Sequence, residues 1–421
     1  MSVADDVLAL IRCDELVAFA LELCNIDSAI GHEGAVGEHL YQWMRRLGLN
    51  PRKIGLQTER FNLLGKVEGT GGGLSLIFNS HMDTAVPRAH DLVHADPTER
   101  RYHAAWVEGD ALIGEGIIND KGPMAAFLIA VKAIKDSGHR LLGDLLVSAA
   151  INETGGEPCD DAPGAYGQSK ELGTRFLVTH GAVADYALVA EGTGFGIVWV
   201  EAGEFWYKVT LRGDAPPYYT PYLPERSTLA TSPNMIVAAA PAIAALEDWA
   251  TAYQKRNAYA CPGGTIVPKA QIGAIRGGDP NRPLFSTQLC ELYLDVRSVP
   301  HQDPLRVRDE IRQALSGAGL NATVELFSYR PAFEARGIER LAEAVRRAHR
   351  AQFSEEPQPA PVETSSMWRD INAFNEVGIP ALTYGPRSRA QGGKRALSIE
   401  SLYQSAQLYA RIALDICSER K

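Results

Sequence analysis

Cysteine is sparse and unpatterned in this chain of 421 residues: six thiols, at Cys13, Cys24, Cys159, Cys261, Cys290 and Cys417, with no Cys-x-x-Cys spacing. That argues against a zinc ribbon or a disulfide-stapled scaffold and fits reduced thiols in a cytoplasm. No basic block occurs, and 42 Lys and Arg stand against 51 Asp and Glu, for a formal net charge of −9. A nucleic-acid partner is therefore not expected. Long apolar runs are missing too. The longest, near residue 124, is interrupted by Lys132 and is too short to span a bilayer, so no membrane partner is expected. The N-terminus carries Asp5 and Asp6 and lacks the basic-then-apolar order of a signal peptide. What is present, 45% apolar and 22% charged residues, is the composition of a globular enzyme, at a length that calls for two domains.

Along the chain, helical apolar spacing covers Leu8 to Leu23 and Val36 to Leu47. Strands are expected near 60–67 and 74–79, joined as a hairpin by the Gly-rich link 68–73, which lacks the Lys-Ser/Thr of a phosphate-binding loop. An amphipathic helix over 121–137 and buried strands at 145–151 and 185–190 follow, a strand–helix alternation that predicts a mostly parallel sheet. From Gly203 the pattern changes. A strand at 205–213, a helix at 234–256, strands at 270–274 and 288–297, a helix at 304–317 and a strand at 322–328 give a β-α-β-β-α-β order. The fold class read from this is α/β: a mixed, mostly parallel sheet sandwiched by helices, with an inserted two-layer α/β lid domain. The expected boundaries are 1–203 and 330–421 for the catalytic domain and 204–329 for the lid.

The chemistry concentrates in Ser80-His81-Met82-Asp83-Thr84 and Asn119-Asp120-Lys121-Gly122. The first follows the apolar run 74–79, so His81 sits at a strand end, where α/β sheets keep their ligand sites. Asp83, two residues on, points to the same side of an extended chain and is placed to fix the His81 tautomer. Glu153 and Glu191 also close apolar strands, and Asp120 is read as a fourth such group. Taken singly, each has a plain reading: a satisfied histidine, a helix cap at Asp120, a turn at Glu191-Gly192. Taken together, one imidazole plus carboxylates suits zinc, manganese or cobalt.

These segments resemble the aminoacylase, acetylornithine deacetylase and succinyl-diaminopimelate desuccinylase family of metallohydrolases. Residues 80–87 are similar to its Gly-His-x-Asp-x-Val-Pro motif. Gly116 to Gly122 resembles Gly-x-x-Asp-x-Lys-Gly with a one-residue offset. Asn152-Glu153-Thr154-Gly155 stands where the family has Glu-Glu-x-Gly, and Ala190-Glu191-Gly192-Thr193 where it has Gly-Glu-Pro-Thr. Asp295-Val296-Arg297, Ser232-Pro233-Asn234, Gly378-Ile379-Pro380 and Gly385-Pro386 match further segments, so the likeness runs along nearly the whole chain. Three features depart from it. The family's general base is replaced by Asn152. Its C-terminal metal-binding His would fall near Ala396, but no His follows His349. Its lid-domain His is also missing, with none between His180 and His301.

The resemblance implies a metal-dependent hydrolase that cleaves a C–N bond of a small carboxylate-bearing substrate, working as a homodimer through the lid. With the second-site histidine gone, one divalent metal ion (manganese or zinc, or cobalt) is expected on His81, Asp120 and Glu191, and a second metal ion is disfavoured. Glu153 and Asp83 are the expected catalytic pair, Glu153 accepting a proton in place of Asn152; the alternative keeps Glu153 as a ligand of a two-metal site. Arg297 and Asn234 are the expected carboxylate contacts. Tyr218 and Tyr219 stand in a Pro-Tyr loop suited to a flat ring, or else in a rigid loop at a dimer contact. The missing base opens a divergent reaction, hydrolytic removal of an aromatic amine as in 5-nitroanthranilate aminohydrolase. N-acyl-amino-acid or small-peptide cleavage is the alternative activity, and a degenerate, non-catalytic binding protein the alternative from another class.

Overall fold

The computed structural model describes residues 2–87, 96–159, 167–391 and 394–421. The polypeptide divides into two compact units. One comprises residues 1–199, 335–364 and 369–421; the other comprises residues 200–334 and 365–368. Compared with boundaries at 203/204 and 329/330, the second unit takes in a few more residues on each side, because Phe333–Glu334 pairs with Val200–Glu201.

The first unit is built on a six-stranded sheet. Its strands run in the order Arg52–Ile54, Asn62–Val67, Leu145–Ala150, Leu76–His81, Tyr186–Val189 and Ala381–Thr383. The last four are mutually parallel and the first two join antiparallel, which makes the sheet mixed and mostly parallel. Leu76–His81 is buried along its whole length, as a central strand covered on both faces must be. The Lys121–Asp136 and Ile399–Cys417 helices pack on one face. Leu402, Leu408 and Ile412 of the second are fully buried, each contributing roughly 1.5–3 kcal/mol of hydrophobic stabilisation.

The expected hairpin across 68–73 is corrected. Leu145–Ala150 lies between Asn62–Val67 and Leu76–His81, so the two strands flanking the Gly-rich link never pair. The glycines serve close approach instead: a Cβ on Gly69 or Gly73 would come within 2.5 and 2.3 Å of the Gly143 backbone.

The second unit has a four-stranded antiparallel sheet in the order Ala270–Gly277, Leu289–Ser298, Gly203–Arg212, Ala322–Arg330. The Met235–Arg256 and Pro304–Gly317 helices cover one face, giving the β-α-β-β-α-β order read from the sequence. By length and composition the Met235–Arg256 helix is apolar enough to cross a membrane. Here Ala238, Ala242, Leu246 and Trp249 form its buried stripe, in one core with Tyr207, Leu292 and Leu294 of the sheet.

Candidate metal centre

His81 is the last residue of its strand, Asn152 and Glu153 follow Leu145–Ala150, and Glu191 follows Tyr186–Val189. Three adjacent parallel strands thus deliver these side chains to one C-terminal edge. Asp120 arrives by another route, which corrects its reading as a strand-end residue. It lies between the helical turn Glu115–Ile118 and the head of the Lys121–Asp136 helix. Its carboxylate makes no cap bond to that helix; instead Oδ2 accepts from the Ser80 hydroxyl.

One donor atom each from His81, Asp120 and Glu191 lies within 4.8 Å of the other two, and all three residues are buried. Nδ1 of His81 is 3.0 Å from the main-chain carbonyl of Asp83 and 3.4 Å from its carboxylate, so the ring proton has its acceptors there. Nε2 is left facing Asn119 Oδ1 at 3.2 Å and Glu153 Oε2 at 3.7 Å. Burial opposes a charge on this ring, but Asp83, Glu153 and Asp120 around it outweigh that and hold it well above the ordinary histidine range, so the pocket favours positive charge at this spot. The same need shows at the carboxylates: Asp120 Oδ1 and Glu191 Oε1 are buried with no hydrogen-bond partner. The donor set therefore fits a divalent cation.

The electrostatics of the ion-free centre agree. Burial and the nearby Glu191 charge push the Asp120 carboxyl well above its ordinary range. Burial also raises Glu191, against the pull of Arg369, whose guanidinium grips Glu191 Oε2. Burial opposes ionisation of Asp83, but the His81 ring and the Thr154 hydroxyl and amide outweigh it, so Asp83 is held below its ordinary value. Its carboxylate accepts from the Glu153 amide at 3.0 Å and the Thr154 amide at 2.8 Å, which ties the loop bearing Glu153 to the strand bearing His81.

Glu153 stands at the side of this cluster. Its Oε1 is 3.4 Å from Lys170 Nζ, and the same ammonium donates to the Glu153 carbonyl. Asn152, at the position of the family's base, is fully buried; its Oδ1 accepts from Arg60, which is in turn paired bidentately with buried Glu33 at 2.6 and 2.9 Å. Asn152 has a positive φ of 64°, a conformation that asparagine tolerates better than most residues. Ala396, near the place of the missing His, is buried against Ala111 and Ile113, an apolar setting.

The remaining expected contacts lie in the second unit. Asn234 caps the Met235–Arg256 helix, accepting from the Ile236 amide at 3.1 Å. Arg297 bonds Asp295 at 2.9 and 3.2 Å and pairs with Glu204 at 3.0 Å. The Tyr218 amide donates to the Ser286 hydroxyl, and Tyr219 is exposed, its ring near Tyr222 and Phe285.

Sequence reasoning missed Asn119, Lys170 and the Glu33–Arg60 pair. Asn119 carried a signal in its adjacency to Asp120. The others carried none, because their partners are distant in the chain. Arg369 holds Glu191, and the neighbouring Asp370 accepts from the Thr174 hydroxyl at 2.7 Å.

The sequence model of Peptidase family M20/M25/M40 matches residues 77–415. The chain is 24% identical over 414 residues to N-formyl-4-amino-5-aminomethyl-2-methylpyrimidine deformylase of Bacillus subtilis, covering 90% of this chain and 88% of the deformylase. Among solved structures it is similar to a tripeptidase from Staphylococcus aureus, with TM-score 0.71, 18% identity and coverage of 97% and 100%. It is also similar to a dinuclear metal-binding peptidase of the M20 family from Bacillus subtilis, with TM-score 0.63, 13% identity and coverage of 96% and 98%.

Proposed function

Because the chain belongs to Peptidase family M20/M25/M40, whose members are metal-dependent hydrolases of carbon–nitrogen bonds, we propose that it hydrolyses an amide in a small carboxylate-bearing substrate at a one-cation centre on His81, Asp120 and Glu191. The observation that carries this reading is the pair of orphaned buried oxygens, Asp120 Oδ1 and Glu191 Oε1, in the group that includes His81. One imidazole with two carboxylates suits manganese or zinc, and also cobalt. A divalent cation held there would polarise the scissile carbonyl and acidify water.

The chain's own residues supply the rest. Asp83 holds the His81 tautomer through Nδ1 and anchors the Glu153 loop through two amides. Glu153 is the general base: Oε2 takes the proton of the attacking water and passes it to the departing nitrogen. Two features support that role over ligation. Glu153 lies outside the three-residue donor group, and Lys170 pairs with its other oxygen. Asn152 is locked by Arg60 and cannot accept a proton there.

The deformylase relative, by its name, removes a formyl group from an amine, and that supports a small N-acyl or N-formyl amide as the substrate class. Displacement of an aromatic amine draws only on this chain's departures from the family, and the relatives named here supply no support for it; we adopt the amide reading. A binding protein with a decayed site is set aside, since drift would not leave three buried donors converging. Arg297 and Asn234 remain the proposed carboxylate contacts, with Tyr218 and Tyr219 beside them; Arg297 keeps 26% of its side chain exposed despite its two partners. Ala270–Gly277 is an edge strand with an exposed Ile275, which favours pairing with a second copy. Few, scattered cysteines with no Cys-x-x-Cys spacing favour a cytoplasmic location.

The test is metal analysis of purified protein alongside hydrolysis of N-formyl and N-acyl amines. One bound ion, lost in His81→Ala together with turnover, supports the proposal. Full turnover in protein stripped of metal would end it.

A further inference from the structure

Buried carboxylates crowd the centre, among them Asp83, Asp120, Glu153, Glu191 and Asp370. Two protein cations reach the same cluster. Lys170 pairs with Glu153, their side chains only 11% and 9% exposed, and Arg369 pairs with Glu191, at 8% and 7%. Pairing at this depth is weakly screened and cannot be exchanged for water without loss. Each of these two ion pairs places one unit of protein positive charge on a carboxylate of the cluster.

Lys170 is fixed in place. Its main-chain amide donates to Glu157 Oε1 at 2.9 Å, it heads the short Lys170–Leu172 helix behind the cap Ser169, and its ammonium bonds both the carbonyl and the carboxylate of Glu153. The ammonium thus occupies the oxygen of Glu153 turned away from His81. Asn119 adds to the effect, because an amide oxygen 3.2 Å from His81 Nε2 is a neutral donor and cannot supply the charge with which a carboxylate bridges two ions.

Resting on the one-cation reading above, we propose that Lys170, with Arg369, is a built-in counter-cation that stands in for a second metal ion and keeps Glu153 out of the ligand set. The two side chains together carry the charge of one divalent ion, and they keep the base paired without committing it to coordination.

The test is manganese binding to metal-depleted protein, followed by calorimetry and by elemental analysis after gel filtration. Wild type is expected to bind one equivalent. Lys170→Met, which keeps the length and removes the charge, is expected to take up a second, weaker equivalent or to bind its single ion at least about tenfold tighter, since the freed carboxylate must find a cation. Lys170→Arg is expected to behave as wild type. Should Lys170→Met fail to fold, Lys170→Gln serves as the charge-free variant. Stoichiometry and affinity unchanged in the charge-free variant, with wild type binding one ion, overturn the role of Lys170 and leave the one-cation reading standing. Two equivalents in wild type overturn that reading itself.

Discussion

Glu33 and Arg60 form a bidentate ion pair directly beneath Asn152, with Nε to Oε2 at 2.6 Å and a terminal nitrogen to Oε1 at 2.9 Å. The pair is almost wholly removed from solvent, and Arg60 extends it to the Asn152 side chain. The position where the family resemblance places a general base is therefore tied by its side-chain oxygen to a buried, internally neutral ion pair. Removing one partner strands a buried charge. Glu33→Gln or Arg60→Met is expected to cost ~3–5 kcal/mol of unfolding free energy in urea titration, and the double variant Glu33→Met with Arg60→Met less than the sum. Single variants of near wild-type stability would show that the pair is solvated in solution.

Asp83 meets the donor group at His81 Nδ1, and it also binds the Glu153 and Thr154 amides. Asp83→Asn is expected to weaken metal affinity about 10–100-fold while leaving the number of bound ions unchanged. A metal titration checks this; unaltered affinity would mean that the Asp83 main-chain carbonyl alone orients the ring.

The α/β class and the order of elements in the second unit were legible because they rest on local periodicity, alternation in 203–212 and helical spacing in 235–256. The sheet order was not. Leu145–Ala150 enters between two strands that precede it by many residues, and nothing within 62–81 announces that. His81, Glu153 and Glu191 were legible as groups closing apolar strands. Asp120 came to notice through its motif, and the helix that follows it was read from its spacing; only its grouping with the strand-end residues was wrong, because a short helical turn, not a strand, precedes it. Lys170 and Glu153 are 17 residues apart, and Arg60 and Glu33 are 27 apart. Such pairs depend on chain path alone and leave no spacing signal.

Burial, and next the Glu153 charge, raise Asp370 from its ordinary value to about 7. A raised carboxyl contributes stability that is complete below its unfolded value and is lost as pH climbs through the folded one. In metal-depleted protein, stability should therefore fall from about pH 4 to about pH 7 on this account. Asp370→Asn still offers an oxygen to the Thr174 hydroxyl and removes the titration. It should gain on wild type by several kcal/mol across that window, read by thermal melts at each pH. A constant difference between the two proteins would place the Asp370 carboxyl in water.

Glu153→Gln separates base from ligand. It is expected to retain the metal at wild-type stoichiometry while losing at least about a hundredfold in kcat, in the range for a missing general base. Loss of the ion instead would make Glu153 a ligand.

Anomalous diffraction from manganese-loaded crystals tests the centre most directly. The account predicts one strong peak within about 2.0–2.3 Å of His81 Nε2, of an Asp120 oxygen and of Glu191 Oε1. A peak elsewhere, two peaks sharing these side chains, or none in fully active protein would contradict it.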